Sequence, residues 1–75
     1  MPLAFVLLNT NVGSEIDVLR ELKKIESIKD AVLVYGAYDI VVRVESNSIK
    51  ELNQTVTWKI RKMDYVTETQ TMIIP

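Results

Sequence analysis

The residues of this chain with the clearest capacity for chemistry stand together, where Asp39 follows Gly36, Ala37 and Tyr38. An Asp beside a glycine is common in turns, where its carboxylate accepts hydrogen bonds from nearby backbone amides. The same carboxylate can accept a charge-assisted hydrogen bond from a ligand ammonium. Backbone amides around Gly36 could then hold a carboxylate, because glycine permits close approach of the backbone. An amino acid offers both groups, so the stretch is interpreted either as a turn or as an amino-acid contact.

Two other groups of residues have both a structural and a functional interpretation. Thr67, Thr69 and Thr71 alternate near the end of the chain. They fit a solvated edge strand, or a ladder of hydroxyls that positions a polar ligand or a neighbouring subunit. Trp58 falls on the polar side of the second predicted helix. It is either a single exposed apolar residue, which is ordinary, or an anchor in a subunit interface.

The composition argues against several kinds of chemistry. The chain has 75 residues, no His and no Cys, and 9 Lys/Arg against 10 Asp/Glu for a net charge of -1. The commonest general base, thiolate nucleophiles and zinc-finger patterns are therefore missing. The sequence has no glycine-rich phosphate loop and no nucleophile-elbow motif. We predict that the protein is not an enzyme, has no cofactor or metal, and makes no direct contact with nucleic acid.

The length predicts one domain over residues 1–75. A domain of this size has a marginal core, and oligomerisation is a common aid to its stability. The apolar N-terminal run is too short to span a membrane and lacks the basic region of a signal peptide. We predict a cytoplasmic protein without a membrane partner.

The elements that must position these residues alternate in a regular order. Apolar patterning predicts four strands, at Leu3–Leu8, Ile28–Tyr35, Tyr38–Glu45 and Tyr65–Ile74. Gly36-Ala37 between the middle strands predicts a tight hairpin, with a type II′ turn preferred over type I′. With two intervening helices the order is βαββαβ, which is that of the α+β ferredoxin-like fold. That fold has a four-stranded antiparallel sheet in the order 4-1-3-2, with both helices on one face.

Capping residues mark the start of each predicted helix. Ser14 precedes an apolar stripe and predicts an N-cap, with the helix ending near Glu26. Ser48 and Glu51 form a capping box before the second helix. Basic residues near the end of that helix, including Arg61, suit the negative end of the helix dipole.

The first strand is apolar on both of its faces. Its two rows are Leu3, Phe5 and Leu7 on one side, and Ala4, Val6 and Leu8 on the other. Because the helices cover one face of the sheet, one row would face water in a monomer, and such a patch usually marks an interface. We predict a dimer packed sheet to sheet, with Leu3, Phe5 and Leu7 as the interface row and Trp58 as a further interface residue. The sequence alone leaves open which row faces the partner.

Two segments resemble a known family. The run VYGAYDIVVRV, residues 34–44, resembles the Gly-x-Tyr/Phe-Asp hairpin of the Lrp/AsnC regulators, and residues 66–71 resemble that family's last strand. The resemblance covers essentially the whole chain and is to the regulatory ligand-binding (RAM) domain. It implies homodimers that assemble into rings such as octamers and bind a small-molecule effector, typically an amino acid, between dimers. By position, the ligand-binding residues it implies are Gly36, Ala37, Tyr38, Asp39, Thr69 and Thr71.

The family's regulators carry a helix-turn-helix domain before this module, whereas this sequence begins two residues before the first strand. We therefore expect a stand-alone module that senses an amino acid and acts, if on transcription, by co-assembly with full-length Lrp/AsnC regulators. A second hypothesis is an interaction protein that forms mixed oligomers with a regulator and binds no ligand. A third, a small enzyme of the dimeric α/β-barrel type, is disfavoured because the chain has no His.

Overall fold

The computed structural model describes residues 2–74 as four strands and two helices in the order βαββαβ. The strands are β1 (Leu3–Thr10), β2 (Ile28–Leu33), β3 (Ile40–Glu45) and β4 (Val66–Ile74). The helices are α1 (Glu15–Leu22) and α2 (Ile49–Thr55), and α2 continues directly into the π-helical segment Val56–Ile60. The antiparallel sheet has the order β2-β3-β1-β4, which is 4-1-3-2 read from the other edge. The predicted ferredoxin-like fold is confirmed.

The core lies between the helices and one face of the sheet. Ala4, Val6 and Leu8 of β1 are all 0% exposed and pack in one cluster with buried residues of both helices. Leu3, Phe5 and Leu7 alternate with them and are only partly buried. The structure therefore decides what the sequence left open: the row of Leu3, Phe5 and Leu7 lies on the helix-free face.

The two predicted helix starts differ in their chemistry. Ser48 Oγ accepts from the Glu51 amide at 3.2 Å, and the Glu51 carboxylate accepts from the Asn47 amide at 3.3 Å. The capping box thus forms, although the return bond reaches one residue further back than Ser48. Ser14 is the N-cap residue of α1, as predicted, but its side chain makes no capping hydrogen bond. The Gly13 amide is instead 3.4 Å from the Glu15 carboxylate.

Helix α1 is one turn shorter than the apolar spacing predicted. It ends at Leu22 rather than near Glu26. The amides of Lys24 and Ile25 bond to carbonyls only three residues back, at 3.2 and 3.1 Å. Such bonds tighten the last turn and satisfy carbonyls that the α-helix leaves open.

The hairpin between β2 and β3 is wider than the tight turn that Gly36-Ala37 predicted. The Val34 amide donates to the Asp39 carbonyl at 2.9 Å, so residues 35–38 form the loop. The strands accordingly stop at Leu33 and resume at Ile40, inside the predicted bounds. A two-residue turn was therefore the wrong expectation. The longer loop leaves the motif residues as a projecting tip.

Candidate functional site

Asp39 ties the base of the hairpin to the end of β1. Its backbone amide donates to the Leu8 carbonyl at 3.0 Å, and its Oδ2 accepts from the Thr10 amide at 3.0 Å. The side-chain bond joins residues 29 apart in the sequence, so this is a long-range tether and not a local turn contact. A carboxylate offers about four lone-pair positions. Asp39 can therefore hold Thr10 and still accept a hydrogen bond from a ligand.

The tip of the hairpin is open to its surroundings. Gly36 and Ala37 are exposed, Tyr35 is fully exposed and Tyr38 is half-buried. Gly36 has φ +143°, a conformation that residues with a Cβ rarely adopt. A Cβ built there would meet no atom within 4 Å. Glycine is thus required for the backbone conformation and not to avoid a clash within the chain. The space beside Gly36 is open to a ligand or another molecule.

The two predicted threonines lie across β1 from the hairpin. Thr69 stands opposite Leu8 and Thr71 opposite Val6, so both share the helix-covered side of the sheet at its β4 edge. The hairpin continues β3, on the other side of β1. Within one chain, the tip and the threonines are therefore separated by the central strand.

Thr69 contributes to a cavity of about 220 Å³ at the start of β4. Its lining residues are Arg61, Val66, Thr67, Glu68 and Thr69. Sequence reasoning assigned Arg61 to the helix dipole and gave Glu68 no role. Apolar periodicity contains no signal for this cavity, because a π-helical turn precedes Arg61 and the β1–β4 register shifts at Thr67.

Trp58 lies in the π-helical segment and is 66% exposed. The Lys62 ammonium sits 5.3 Å from the centre of its ring. Such a cation–π contact is worth about 0.5–1 kcal/mol at an exposed site. The indole also lines a shallow groove along the outer side of α2 with Ile49 and Asn53. Both interpretations of Trp58, surface residue and interface anchor, are compatible with this position.

The helix-free face of the sheet combines apolar side chains with one ion-pair network. Phe5 stands between Arg43 of β3 and Met72 of β4. The Arg43 guanidinium bonds to Asp30 across the β2–β3 pair, with Nη2 2.8 Å from Oδ2, and to Glu45 along β3. The hydrogen bond to Asp30, together with the two negative charges, raises the pKa of Arg43 above its ordinary value. As a guanidinium, Arg43 carries a positive charge on this face at any working pH.

The described part of the chain has neither a metal-binding cluster nor a helix that could span a membrane. Residues 2–74 contain no group of three or more Asp or Glu side chains arranged to hold a metal ion. No helix within those residues is long and apolar enough to cross a membrane.

The strand order and the two helices define the class of this domain as ferredoxin-like α+β. A family model for the Lrp/AsnC ligand binding domain matches residues 3–74, and the chain belongs to this family. The resemblance of the hairpin and the last strand is thereby confirmed, and with it a relation to transcriptional regulators.

Three relatives show how this chain compares in length and fold. A hypothetical protein from Pyrococcus horikoshii is 43% identical, with a TM-score of 0.95 over 100% of this chain and 90% of that chain. An uncharacterized HTH-type transcriptional regulator from Pyrococcus abyssi is 28% identical over 71 residues, which are 95% of this chain and 45% of that protein. The chain thus spans less than half the length of that relative.

The third is a transcriptional regulator from Neisseria meningitidis, whose structure is a complex with L-methionine. It is 12% identical, with a TM-score of 0.88 over 99% of this chain and 49% of that chain. At this identity the comparison shows a shared fold alone.

Proposed function

We propose that this chain is a ligand-binding and oligomerisation module that senses an amino acid at contacts between dimers and modulates Lrp/AsnC-type regulators. The observation that carries the proposal is the exposed hairpin with the family motif, Gly36 to Asp39. The chain that bears this hairpin belongs to a family of ligand-binding domains. The Neisseria regulator, which has the same fold, is complexed with L-methionine, so amino acids are the effector class to test first.

The first step of assembly in this proposal is a homodimer through the helix-free face. The partly buried Leu3, Phe5 and Leu7 are flanked there by exposed Met72 and Ile74 of β4. Hiding roughly 500 Å² of such surface is worth on the order of 10 kcal/mol before the costs of association. A sheet-to-sheet dimer covers this patch and brings the marginal core of a small domain to useful stability.

The second step brings dimers together into a ring such as an octamer. The separation of the hairpin tip from Thr69 and Thr71 by β1 supports a shared site, because a neighbouring copy can bring its own tip to that edge. In such a site Asp39 accepts from the ligand ammonium, and Gly36 allows the backbone to approach the ligand. Trp58, on the outer side of the helical layer, is the proposed anchor for contacts beyond the dimer.

Isothermal titration of the protein with each of the twenty amino acids tests this function. We expect saturable heat with one or a few of them, and loss of that heat in Asp39→Asn. Asparagine keeps an oxygen that can accept from the Thr10 amide, so this variant removes the charge and retains the tether. Absence of heat with all twenty, or an unchanged response in the variant, would contradict the assignment.

A second function is favoured by the tether itself. Because the Asp39 carboxylate already accepts from Thr10, its presence is explained without any ligand. In this alternative the chain forms mixed oligomers with a full-length regulator and binds nothing at the hairpin. Pull-down with full-length family members, combined with a negative titration, would favour it. A homo-oligomer that never exchanges subunits with a regulator would count against it.

A further inference from the structure

We infer that the helical layer carries a second contact surface, in which Trp58 of one copy of this chain enters an acidic cavity beside α1 of another copy. The inference takes up the Trp58 anchor of the proposed function and names the surface that receives it. The contact requires neither a bound amino acid nor the helix-free face of the sheet. Sensing and this contact can therefore be tested separately.

Trp58 projects from the helical layer with cations beside it. The π-helical segment buries Val56 and Ile60 in the core and leaves Trp58 between them 66% exposed. The indole lines two separate grooves and so stands between them. The exposed Lys59 and Lys62 accompany it, with the Lys62 ammonium 5.3 Å from the centre of the ring. We call Trp58, Lys59 and Lys62 the Trp58 ridge. Tryptophan is enriched among the anchors of interfaces.

The segment that bears this ridge is the basic part of the chain. Residues 49–62 contain four cations, Lys50, Lys59, Arg61 and Lys62, and one anion, Glu51. Because the whole chain has 9 Lys/Arg and 10 Asp/Glu, the remaining residues have five cations and nine anions. A net charge of -1 thus conceals a basic segment and an acidic remainder. Each copy offers both potentials, which favours association between copies.

The acidic surface nearest in the fold is a cavity of about 450 Å³ between α1 and the residues just before β4, here called the α1 cavity. Three exposed carboxylates line it, those of Asp17, Glu21 and Asp64. The one cation among its lining residues is Arg20, which lies 3.9 Å from Asp17. Three negative charges against one positive charge leave the cavity with a net charge of -2.

The α1 cavity also offers apolar surface to an aromatic ring. Met63 and the exposed Tyr65 line it, and the buried Val18 contributes to it from α1. The backbone at Tyr65 is held in place, because its carbonyl accepts from the Asn11 amide at 2.8 Å. Aromatic pairs and contacts of sulfur with aromatic rings are favourable. An aromatic ring with cations beside it fits this cavity, and Trp58 with its two lysines presents both.

The groove along the outer side of α2 is the other place that could receive Trp58. Lys50 lines that groove, so two α2 surfaces in contact would bring like charges together, which is costly. The α1 cavity has the opposite charge and lies in the same layer, since Met63 and Asp64 of its wall follow Lys62 directly. In a sheet-to-sheet dimer the helical layers lie outside, so neighbouring dimers can meet through them.

The fluorescence of Trp58 tests this contact, because Trp58 is the only tryptophan of the chain. Emission and light scattering are measured against protein concentration at an ionic strength of about 0.01 M. We expect the emission to shift to the blue, and the indole to become protected from acrylamide, as the mass rises above that of the dimer. Raising the ionic strength to about 1 M shortens the Debye length from about 30 Å to about 3 Å and should reverse both changes. An emission that is the same at every protein concentration would overturn the inference.

Charge reversals then test the two halves of the contact by light scattering. Lys62→Glu in the Trp58 ridge and Glu21→Lys in the α1 cavity should each weaken association roughly 10-fold or more, because like charges replace opposite ones. The double variant should lose less than the product of the two single effects, because its reversed charges attract again. Lys29→Glu, at an exposed position of β2, is the matched control and should associate as the wild type does.

Two results would show that the α1 cavity does not receive Trp58. One is wild-type association of Glu21→Lys, and the other is a double variant whose loss equals the product of the single losses. Either result would overturn the inference and leave amino-acid sensing standing. Conversely, a protein that binds none of the twenty amino acids but shows the expected fluorescence shift would retain this contact without the sensing function.

Discussion

Replacing Asp39 separates its structural contribution from its contribution to a ligand. In Asp39→Ala the Thr10 amide loses its acceptor, which lies at 3.0 Å in a part-buried position. Thr10 is only 8% exposed, so water replaces that acceptor poorly. A hydrogen bond to a charged group contributes about 1.5–3 kcal/mol, and we expect Asp39→Ala to lower the free energy of unfolding by about this amount.

Asp39→Asn should cost less, about 1 kcal/mol or below, because the amide oxygen of Asn can still accept from Thr10. For a domain of this length, 1 kcal/mol corresponds to about 4–8 °C in Tm, so Asp39→Ala should melt at least about 6 °C lower than the wild type. Urea unfolding followed by circular dichroism measures the difference. All variants are compared at one protein concentration, because oligomerisation contributes to apparent stability.

Two results would refute this reasoning. If the free energy of unfolding of Asp39→Ala lies within about 0.5 kcal/mol of the wild-type value, the hydrogen bond to Thr10 makes no net contribution to stability, as is usual for surface substitutions. Equal losses in the Ala and Asn variants would mean that the charge stabilises the fold and not the hydrogen bond to Thr10. The expected pattern is a stable Asp39→Asn protein that no longer binds amino acid.

Three further perturbations have clear expected outcomes. Phe5→Glu places a charge in the middle of the helix-free face and should convert dimers to folded monomers, which light scattering would show as a halved mass. Lys23→Glu, on the exposed end of α1, is the control and should leave the mass unchanged. Leu8→Ala opens a cavity at a fully buried position and should cost about 2–5 kcal/mol in urea unfolding; a loss under about 1 kcal/mol would contradict its place in the core. Ser48→Ala should cost about 0.5–2 kcal/mol through its cap, while Ser14→Ala, which removes no capping bond, should be near neutral in the same assay.

The sequence predicted the architecture because local signals agreed along the whole chain. Apolar runs, capping residues and the hairpin glycine placed every strand and helix in the observed order, and the strand order followed from the topology. The errors lie at element ends, where α1 stops at Leu22 and the hairpin loop spans residues 35–38. Those ends depend on single hydrogen bonds between backbone groups, which side-chain periodicity does not record.

The candidate site could be predicted only in part. The sequence singled out Asp39 by its type and its neighbours, but the acceptor role of its carboxylate towards Thr10 depends on two strands that meet 29 residues apart. For Arg61 the sequence predicted only a helix-dipole role, and it did not predict the cavity that Arg61 lines with Thr67 and Thr69. The π turn before Arg61 and the bulge at Thr67 each add one residue to a regular repeat, which apolar periodicity does not record.

By itself, the sequence determined the βαββαβ order, the motif at Gly36 to Asp39 and a first strand that is apolar on both sides. Only the tertiary structure decided that the row of Ala4, Val6 and Leu8 meets the helices while Leu3, Phe5 and Leu7 remain on the open face. The physical reason is that both rows are equally apolar, so hydrophobic patterning cannot assign one of them to the core. The choice is made by the long-range pairing of β1 with β3 and β4 and by the crossovers that place both helices on one side.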